Sequence, residues 1–389
     1  MTDPLRQTIV ATADTIVVKI GTSVITRPDG TLHRRRLTQL CRDLMAIRDS
    51  GRKLVIVSSG AVGAGVGVLG LKRRPTDLAQ LQAAAAVGQS HLMRAYEEAF
   101  RAQGCHAAQL LLTAEDFSDR TRYLNMRNTI RTLLRWGAVP VINENDTVSV
   151  EELRFGDNDL LAALVTSLLQ APLLILLSSV DGLLTRPPQP RRTKRTRRGK
   201  NQEQQVEVIP VVDEFTPELR AVASPQTSAF GTGGMRSKLE AARLCMSAGD
   251  CVILANGQRP GVLRAIMAGE PIGTLFLPFG RLLRARQRWL AFSARPRGVL
   301  VVDEGAVRAL CQQGRSLLAV GIREVRGDFR AGDPVAICDE QGQEVARGLT
   351  NYDAKDLQQI KGLRTPRIRE LLGAGAYDEV IHRDNLVLS

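Results

Sequence analysis

The chain has 389 residues, of which 44% are hydrophobic and 24% are charged, and its formal net charge at pH 7 is +13. This length predicts two domains, and the composition is that of an ordinary globular protein. The sequence contains no apolar run that approaches the roughly 18 residues of a membrane span. The first residues, MTDPLRQT, also lack the charged and apolar regions of a signal peptide. We therefore expect a cytoplasmic protein.

The excess of positive charge is concentrated in one segment. Eight of the 53 lysines and arginines lie between residues 186 and 200, with no acidic residue among them, and removing these eight lowers the net charge from +13 to +5. Because the segment is also rich in proline and glutamine, we interpret residues 186–205 as a solvated insertion whose charge serves solubility. Weak contact with polyanions is the alternative.

The cysteines and histidines suggest no metal site. The six cysteines include no Cys-x-x-Cys pair and do not accompany the four histidines, so neither a zinc site nor a disulfide framework is indicated. Reduced, mostly buried thiols are expected.

Buried strands alternate with amphipathic or alanine-rich helices along the first 180 residues. We predict strands at Thr15–Ile20, Leu54–Ser58, Val139–Asn143 and Leu173–Ser178, and helices at His33–Ser50, Asp77–Gly104, Thr121–Trp136 and Asp159–Leu169. This alternation predicts an α/β fold with a doubly wound, mainly parallel sheet sandwiched by helices. Ligands of such sheets bind at the carboxyl ends of the strands.

Polar clusters follow all four predicted strands. The clusters are Gly21-Thr22-Ser23, Ser58-Ser59-Gly60, Asn143-Glu144-Asn145-Asp146 and Ser178-Ser179. Since the carboxyl ends of parallel strands share one edge of the sheet, these clusters predict a ligand site at that edge.

After about residue 296 the sequence changes to short strands separated by Gly and Asp turns. We predict strands at Val299–Val302, Leu317–Ala319, Pro334–Cys338 and Glu344–Leu349, and a short helix at Val307–Gln312. The chain is thus expected to divide into a domain at 1–295 and a small β-rich domain at 296–389.

The segment from Gly231 to Lys238, GTGGMRSK, is typical of a phosphate-binding turn. Glycines allow close approach to backbone N–H groups, and the helix predicted to begin near Ser237 directs its partial positive end to the same place. The segment is not a P-loop, because Leu239 follows the lysine where Ser or Thr is required. A merely flexible glycine loop is the alternative.

Two further features indicate charge chemistry at the predicted edge. Lys19 lies inside a hydrophobic strand just before a glycine turn, where a buried ammonium needs an anion; a lysine whose ammonium reaches solvent from the strand edge is the alternative. The acidic and amide clusters at 143–146 and 156–159 require lysines, a metal ion or a ligand ammonium to offset their repulsion. For Asp159, an ordinary helix N-cap is the alternative.

One glycine-rich segment matches a dinucleotide-binding pattern but lies in the wrong place for it. Residues 65–70, GVGVLG, satisfy the Gly-x-Gly-x-x-Gly dinucleotide pattern, but they lie too far beyond the strand that ends at Ser58. We do not interpret them as a dinucleotide site.

Six sequence blocks, in order, resemble the signature blocks of the amino acid kinase family, and within it the members that phosphorylate the side-chain carboxylate of glutamate at the head of proline synthesis. The blocks are VVKIGTSV at 17–24, VIVSSGAV at 55–62, AAVGQSHL at 85–92, VPVINENDTV at 139–148, FGDNDLLAAL at 155–164 and GTGGMRSKLEAA at 231–242. The region from about Arg297, with VVDEGA at 301–306 and HRDN at 382–385, is similar to a PUA domain. Two places depart from the family: the long basic insertion, and Ser178-Ser179 where a threonine–aspartate pair is common.

The resemblance implies a set of site residues and partners. It implies ATP binding by Lys19, Ser178, Ser179, Thr232, Gly233, Gly234, Met235, Arg236, Ser237 and Lys238, and glutamate binding by Ser59, Asp146 and Asn158. Lys19, Lys238 and Asp159 are the expected catalytic residues, with Asp159 orienting the two lysines. Mg²⁺ is expected to reach the site with ATP, without a metal site of the protein's own. Feedback inhibition by proline and a homo-oligomer, dimer or tetramer, are also implied.

The sequence leaves two other functions open. Another acceptor specificity within the family, such as aspartate or acetylglutamate, is the nearer one. The more distant one is an RNA-binding PUA protein, although residues 297–389 hold 13 Lys and Arg against 14 Asp and Glu and so have no positive excess to attract nucleic acid.

Overall fold

The computed structural model describes residues 2–27, 29–148, 158–185, 207–216, 219, 234–279, 285–373 and 377–389. The chain divides into two compact units, one of residues 1–116 and 124–282 and the other of residues 117–123 and 283–389. Among the described residues, no helix has both the length and the apolar character that crossing a membrane requires.

The first unit contains the large sheet and its helices. Its strands are β1 Thr15–Ile20, β2 Lys53–Ser58, β3 Ala107–Leu112, β4 Val139–Glu144, β5 Leu173–Ser178, β6 Val211–Val212, β7 Cys251–Asn256 and β8 Thr274–Phe276. The helices up to residue 267 are α1 Pro4–Thr12, α2 Thr22–Ile25, α3 Arg34–Asp49, α4 Ala61–Val68, α5 Leu78–Arg101, α6 Ala114–Ser118, α7 Arg120–Arg135, α8 Asn158–Leu169, α9 Met235–Ala248 and α10 Val262–Met267.

The eight strands lie in the order β3-β4-β2-β1-β5-β7-β8-β6, and every neighbouring pair is parallel except β7 with β8. The predicted fold class is confirmed. β1 lies between β2 and β5, and all six of its residues are buried, which explains its unbroken aliphatic sequence. β1 and β5 have the predicted bounds, and β2 and β4 are each one residue longer than predicted.

The glycines of the 65–70 pattern serve helix packing. Gly65 lies in α4, where an added Cβ would come within 1.8 Å of the backbone oxygen of Ala84 in α5. Gly88 of α5 has the same role, since its Cβ would lie 1.8 Å from the backbone oxygen of Ala61. The two helices approach so closely that neither position has room for a side chain.

Gly88→Ala is expected to destabilise the protein by about 1–3 kcal/mol, because the added methyl group meets backbone atoms that cannot rotate away. The free energy of unfolding, from urea denaturation followed by circular dichroism, measures this. Gly63→Ala is the matched control in α4, since the nearest atom to its Cβ would be at an ordinary 3.5 Å. Equal stability of the Gly88 variant and the unmodified protein would contradict the packing argument.

The second unit contains a five-stranded sheet in the order β10-β9-β11-β12-β13. Its strands are β9 Gly298–Val302, β10 Ile322–Gly327, β11 Pro334–Cys338, β12 Glu344–Leu349 and β13 Leu386–Leu388, and its helices from residue 285 onwards are α11 Ala285–Phe292, α12 Glu304–Cys311, α13 Ala354–Ile360 and α14 Thr365–Leu372. β9 pairs with β11 in parallel, and the other neighbours are antiparallel.

One strand prediction in this unit was wrong. Leu317 forms only an isolated bridge with Ile381, and a 3-10 helix follows at Ala319–Gly321. The strand is β10, which begins at Ile322 and pairs with β9 around a register shift. Its outward-facing polar residues, in the sequence IREVRG, hid the strand from a search for apolar runs.

The cysteines differ in exposure. Cys41, Cys105 and Cys245 are buried, Cys251 and Cys338 are half-buried, and Cys311 is exposed. Burial raises the pKa of Cys251 to about 11, with the nearby Asp250 charge adding to the effect, so its thiolate scarcely forms at neutral pH.

Iodoacetamide at pH 8 is therefore expected to label Cys311 first in the native protein. Cys41, whose pKa burial raises further, is expected to react only after unfolding. Mass spectrometry of tryptic peptides taken over time measures both rates. Labelling of Cys41 as fast as Cys311 in the folded protein would contradict this expectation.

Candidate active site

Lys19 is buried at the centre of the large sheet. The side chain belongs to the fifth residue of β1, beside Val57 of β2 and Leu176 of β5, and the residue is only 3% exposed. Its Nζ atom lies 2.6 Å from Oδ1 of Asp159. The alternative of a lysine that reaches solvent is thereby excluded, because the ammonium is held by a buried carboxylate.

Lys238 binds the other oxygen of the same carboxylate. It lies on α9, and its Nζ is 2.9 Å from Oδ2 of Asp159, which is on α8. Ser237 Oγ lies 3.0 Å from the same Oδ2 atom. Asp159 is completely buried, and it therefore joins strand β1 to helix α9 through two ammonium groups.

Two ammonium groups contact one carboxylate in this group of three side chains. Such an arrangement suits the binding of an anionic ligand. Burial lowers the local dielectric constant and strengthens such an interaction. Gly21 keeps the space beside Lys19 free, since an added Cβ would lie 3.0 Å from the backbone oxygen of Leu177 and 4.0 Å from Lys19 Nζ.

The predicted phosphate turn is described only from Gly234 onwards. Gly234 has an extended conformation and precedes α9, which begins at Met235, two residues earlier than predicted. Arg236 and Ser237 lie in the first turn of that helix, as does Lys238. Gly231, Thr232 and Gly233 lie outside the described residues, as do the basic insertion and residues 151–157.

The two serines after β5 differ in exposure. Ser178 is the last residue of β5 and is buried, whereas Ser179 is exposed. The backbone oxygen of Ser178 accepts from the N–H of Gly257, at the end of β7. Both serines thus lie at the carboxyl edge of the sheet, beside the Lys19 strand.

The predicted acceptor-site residues lie at the same edge. Ser59 directly follows β2 and is buried, and its Oγ has no hydrogen-bond partner among the described residues. Asp146 follows β4 and is half-buried. Asn158 begins α8, immediately before Asp159, and is buried.

Asn158 is part of a buried chain of amides that joins three elements. Its Nδ2 donates to the backbone oxygen of Ser58 and, over 2.6 Å, to Oδ1 of Asn143 in β4. Asn143 Nδ2 in turn donates over 2.8 Å to Oε1 of Gln89 on α5. Our sequence reasoning assigned no role to Gln89, although a lone amide on a face with buried Ala85 and Leu92 was a usable signal.

No group of three or more His, Cys, Asp or Glu residues that could hold a metal ion occurs within the described parts of the chain. The arrangement at the sheet edge is instead one of two ammonium groups, a shared carboxylate and several amides and hydroxyls. Such a set can bind an anion and orient a small polar molecule.

Comparisons with known proteins identify the family to which the chain belongs. Residues 14–256 match the amino acid kinase family, and residues 298–372 match the PUA domain. The chain belongs to the amino acid kinase family. Within this amino acid kinase, the matched region contains β1, α8 and the whole of α9, and hence both lysines and Asp159. The PUA match contains β9, β10, β11 and β12 of the second sheet.

Relatives of this amino acid kinase are similar over almost their whole length. The glutamate 5-kinase of Caldanaerobacter subterraneus subsp. tengcongensis is 48% identical over 373 residues, covering 96% of this chain and 97% of that relative. The glutamate 5-kinase of a Synechococcus species is 48% identical, covering 97% of this chain and 99% of that relative. That of Moorella thermoacetica is 47% identical and covers 96% of each chain.

Proposed function

We propose that the chain is a glutamate 5-kinase, which transfers the γ-phosphoryl group of ATP to the side-chain carboxylate of L-glutamate. The observation that carries the proposal is the pair of buried lysines at 2.6 and 2.9 Å from the two oxygens of Asp159. The names and coverage of the relatives support the choice of glutamate as acceptor. The product, L-glutamyl 5-phosphate, would enter proline biosynthesis.

The proposed mechanism relies on positioning and charge neutralisation. The attacking carboxylate is already ionised at neutral pH, so the enzyme needs no strong general base. Lys19 and Lys238 neutralise the β- and γ-phosphate oxygens as negative charge moves toward the leaving group. Asp159 acts as a positioning residue, because it holds both ammonium groups before the nucleotide binds.

The nucleotide is expected to use the start of α9 as well. Gly234 and the first turn of α9, up to Lys238, provide backbone N–H groups at a helix amino terminus, which favour bound phosphate. Thr232 and Gly233 are proposed to take part from the sequence pattern, and Ser178 and Ser179 from the neighbouring strand end. When bound together with ATP, Mg²⁺ would offset the negative charge of the phosphate groups. The protein would supply no dedicated metal site of its own, since ATP brings the ion with it.

The acceptor site is assigned by hydrogen-bond polarity. Both amide hydrogens of Asn158 are used within the protein, so its Oδ1 is the atom that can face a ligand, and an acceptor atom suits the substrate ammonium. Asp146 pairs with the same ammonium. The hydroxyl of Ser59 is the donor that remains for a carboxylate.

Hydroxamate trapping tests the function directly. Hydroxylamine converts an acyl phosphate to a hydroxamate, which is detected as its coloured complex with Fe³⁺ and is expected to form only when glutamate, ATP and Mg²⁺ are all present. Aspartate and N-acetylglutamate in place of glutamate are the acceptor controls. Turnover with one of these and none with glutamate would reject the proposed specificity, and no turnover with any acceptor would reject the kinase function.

Two further properties are proposed from the family. Added proline is expected to inhibit hydroxamate formation competitively with glutamate, because it shares the ammonium and α-carboxylate. The enzyme is also proposed to be a homo-oligomer, dimer or tetramer. No observation favours the RNA-binding alternative, since residues 297–389 carry no net positive charge.

A further inference from the structure

We infer that Gln89 is a positioning residue for the acceptor substrate, acting through the side-chain amides of Asn143 and Asn158. The inference rests on the proposed function, since Asn158 is placed there in the glutamate site. Gln89 lies on α5, Asn143 in β4 and Asn158 at the start of α8, so the chain of amides ties together three elements that the sequence holds far apart.

The orientation of these amides follows from backbone groups whose hydrogen-bonding roles are fixed. Asn158 contacts the backbone oxygen of Ser58, which can only accept, so the contacting atom of Asn158 is the nitrogen. The Oδ1 atom of Asn143 lies 3.0 Å from the backbone nitrogen of Glu144, which can only donate. Asn143 therefore points its Nδ2 at Gln89.

Oε1 of Gln89 is the acceptor that completes this chain. It receives the Asn143 Nδ2 group over 2.8 Å, in a contact between two buried side chains. Without this acceptor, the buried Nδ2 group of Asn143 would have lost its hydrogen bond to Gln89. The side chains of Asn143 and Asn158 would then be less firmly fixed in their observed orientations.

The amide nitrogen of Gln89 also points to a role beyond packing. Gln89 is only 8% exposed, yet its Nε2 atom has no hydrogen-bond partner among the described residues. An apolar side chain of similar size would avoid this unsatisfied donor, so packing alone does not account for a glutamine here. The contribution of its Oε1 atom does account for it.

Steady-state kinetics of three full-length variants test the inference. Gln89→Met keeps the length of the side chain and removes the acceptor, and it is expected to raise the KM for glutamate by about tenfold or more. The KM for ATP is expected to change by less than about twofold, because the two lysines proposed to bind ATP are held by the carboxylate of Asp159. Gln89→Glu restores an acceptor oxygen and is expected to return the glutamate KM to near that of the unmodified enzyme. Ser90→Ala, at an exposed neighbour on α5, is the control that should change neither KM.

The possible outcomes distinguish a positioning role of Gln89 from a purely structural one. An unchanged glutamate KM in Gln89→Met, or equal rises in both KM values without rescue by Gln89→Glu, would overturn the inference. If Gln89→Met does not fold, Asn143→Asp removes the same hydrogen bond from the donor side, and a normal glutamate KM in that variant would overturn it equally. Absence of glutamate-dependent turnover in the unmodified enzyme would instead reject the proposed function.

Discussion

Replacement of Lys238 by methionine is expected to lower kcat by about two to three orders of magnitude, the usual effect of removing one preorganised charge from a transition state. Lys19→Met is expected to have an effect of the same order. Each lysine contacts one oxygen of Asp159, and each would face the phosphate groups across which negative charge moves. Saturating hydroxamate assays over a range of ATP and glutamate concentrations measure the change in kcat.

The folded state should survive either substitution, because Asp159 keeps its other ammonium partner. Thermal melting of each variant checks this. Lys53→Met is the matched control, since Lys53 is exposed and lies at the amino end of β2, opposite the proposed site. A kcat close to that of the unmodified enzyme in either active-site variant would refute the role assigned to these lysines.

Replacement of Asp159 by asparagine is expected to destabilise the folded protein by about 3–5 kcal/mol, since it removes the buried carboxylate that both buried ammonium groups contact. The asparagine side chain has nearly the same shape as aspartate, so the change is one of charge and not of packing. Activity should fall with stability, because the lysines would no longer be held in place. Urea denaturation gives the change in the free energy of unfolding.

Glu98→Gln is the control variant that separates the effect of burial from the effect of removing a carboxylate charge. Glu98 also contacts two cations, Arg34 at 3.0 Å and Arg94 at 2.8 Å, but its side chain is 47% exposed. Solvent screens this exposed pair of contacts, so no measurable change in stability is expected. Equal effects in the two variants would mean that the Asp159 carboxylate does not stabilise the fold in the way its burial implies.

Much of the first unit could be predicted from local sequence alone. The strands at Thr15–Ile20 and Leu173–Ser178 were predicted with their observed bounds, because a strand buried on both faces is a continuous aliphatic run. The helices α3, α5, α7 and α8 were also located to within a few residues, since their apolar spacing is clear. By contrast, β10 has a polar outer face, and its pairing with β9 was not visible in the sequence.

Part of the candidate site was also visible before the structure. Lys19 was singled out because burying a charged group costs free energy unless it has a partner. Lys238 was singled out because it follows a glycine-rich turn typical of phosphate binding, and Asp159 because it lies in a cluster of acidic and amide side chains. The pairing of these charges could not be predicted from the sequence, because Lys238 and Asp159 are 79 positions apart. Gln89 was missed for the same reason, since its partner in β4 is 54 positions away.

The sequence by itself therefore determined strands β1, β2, β4 and β5, the long helices of the first unit, the mainly parallel sheet and the residue types gathered at its carboxyl edge. Only the tertiary structure decided that two lysines share the oxygens of one carboxylate, and that Gln89, Asn143 and Asn158 form one directed chain of amides. The physical reason is that hydrophobic periodicity is a local property of the chain. A hydrogen bond or an ion pair depends instead on angstrom-scale distances between elements that only packing brings together.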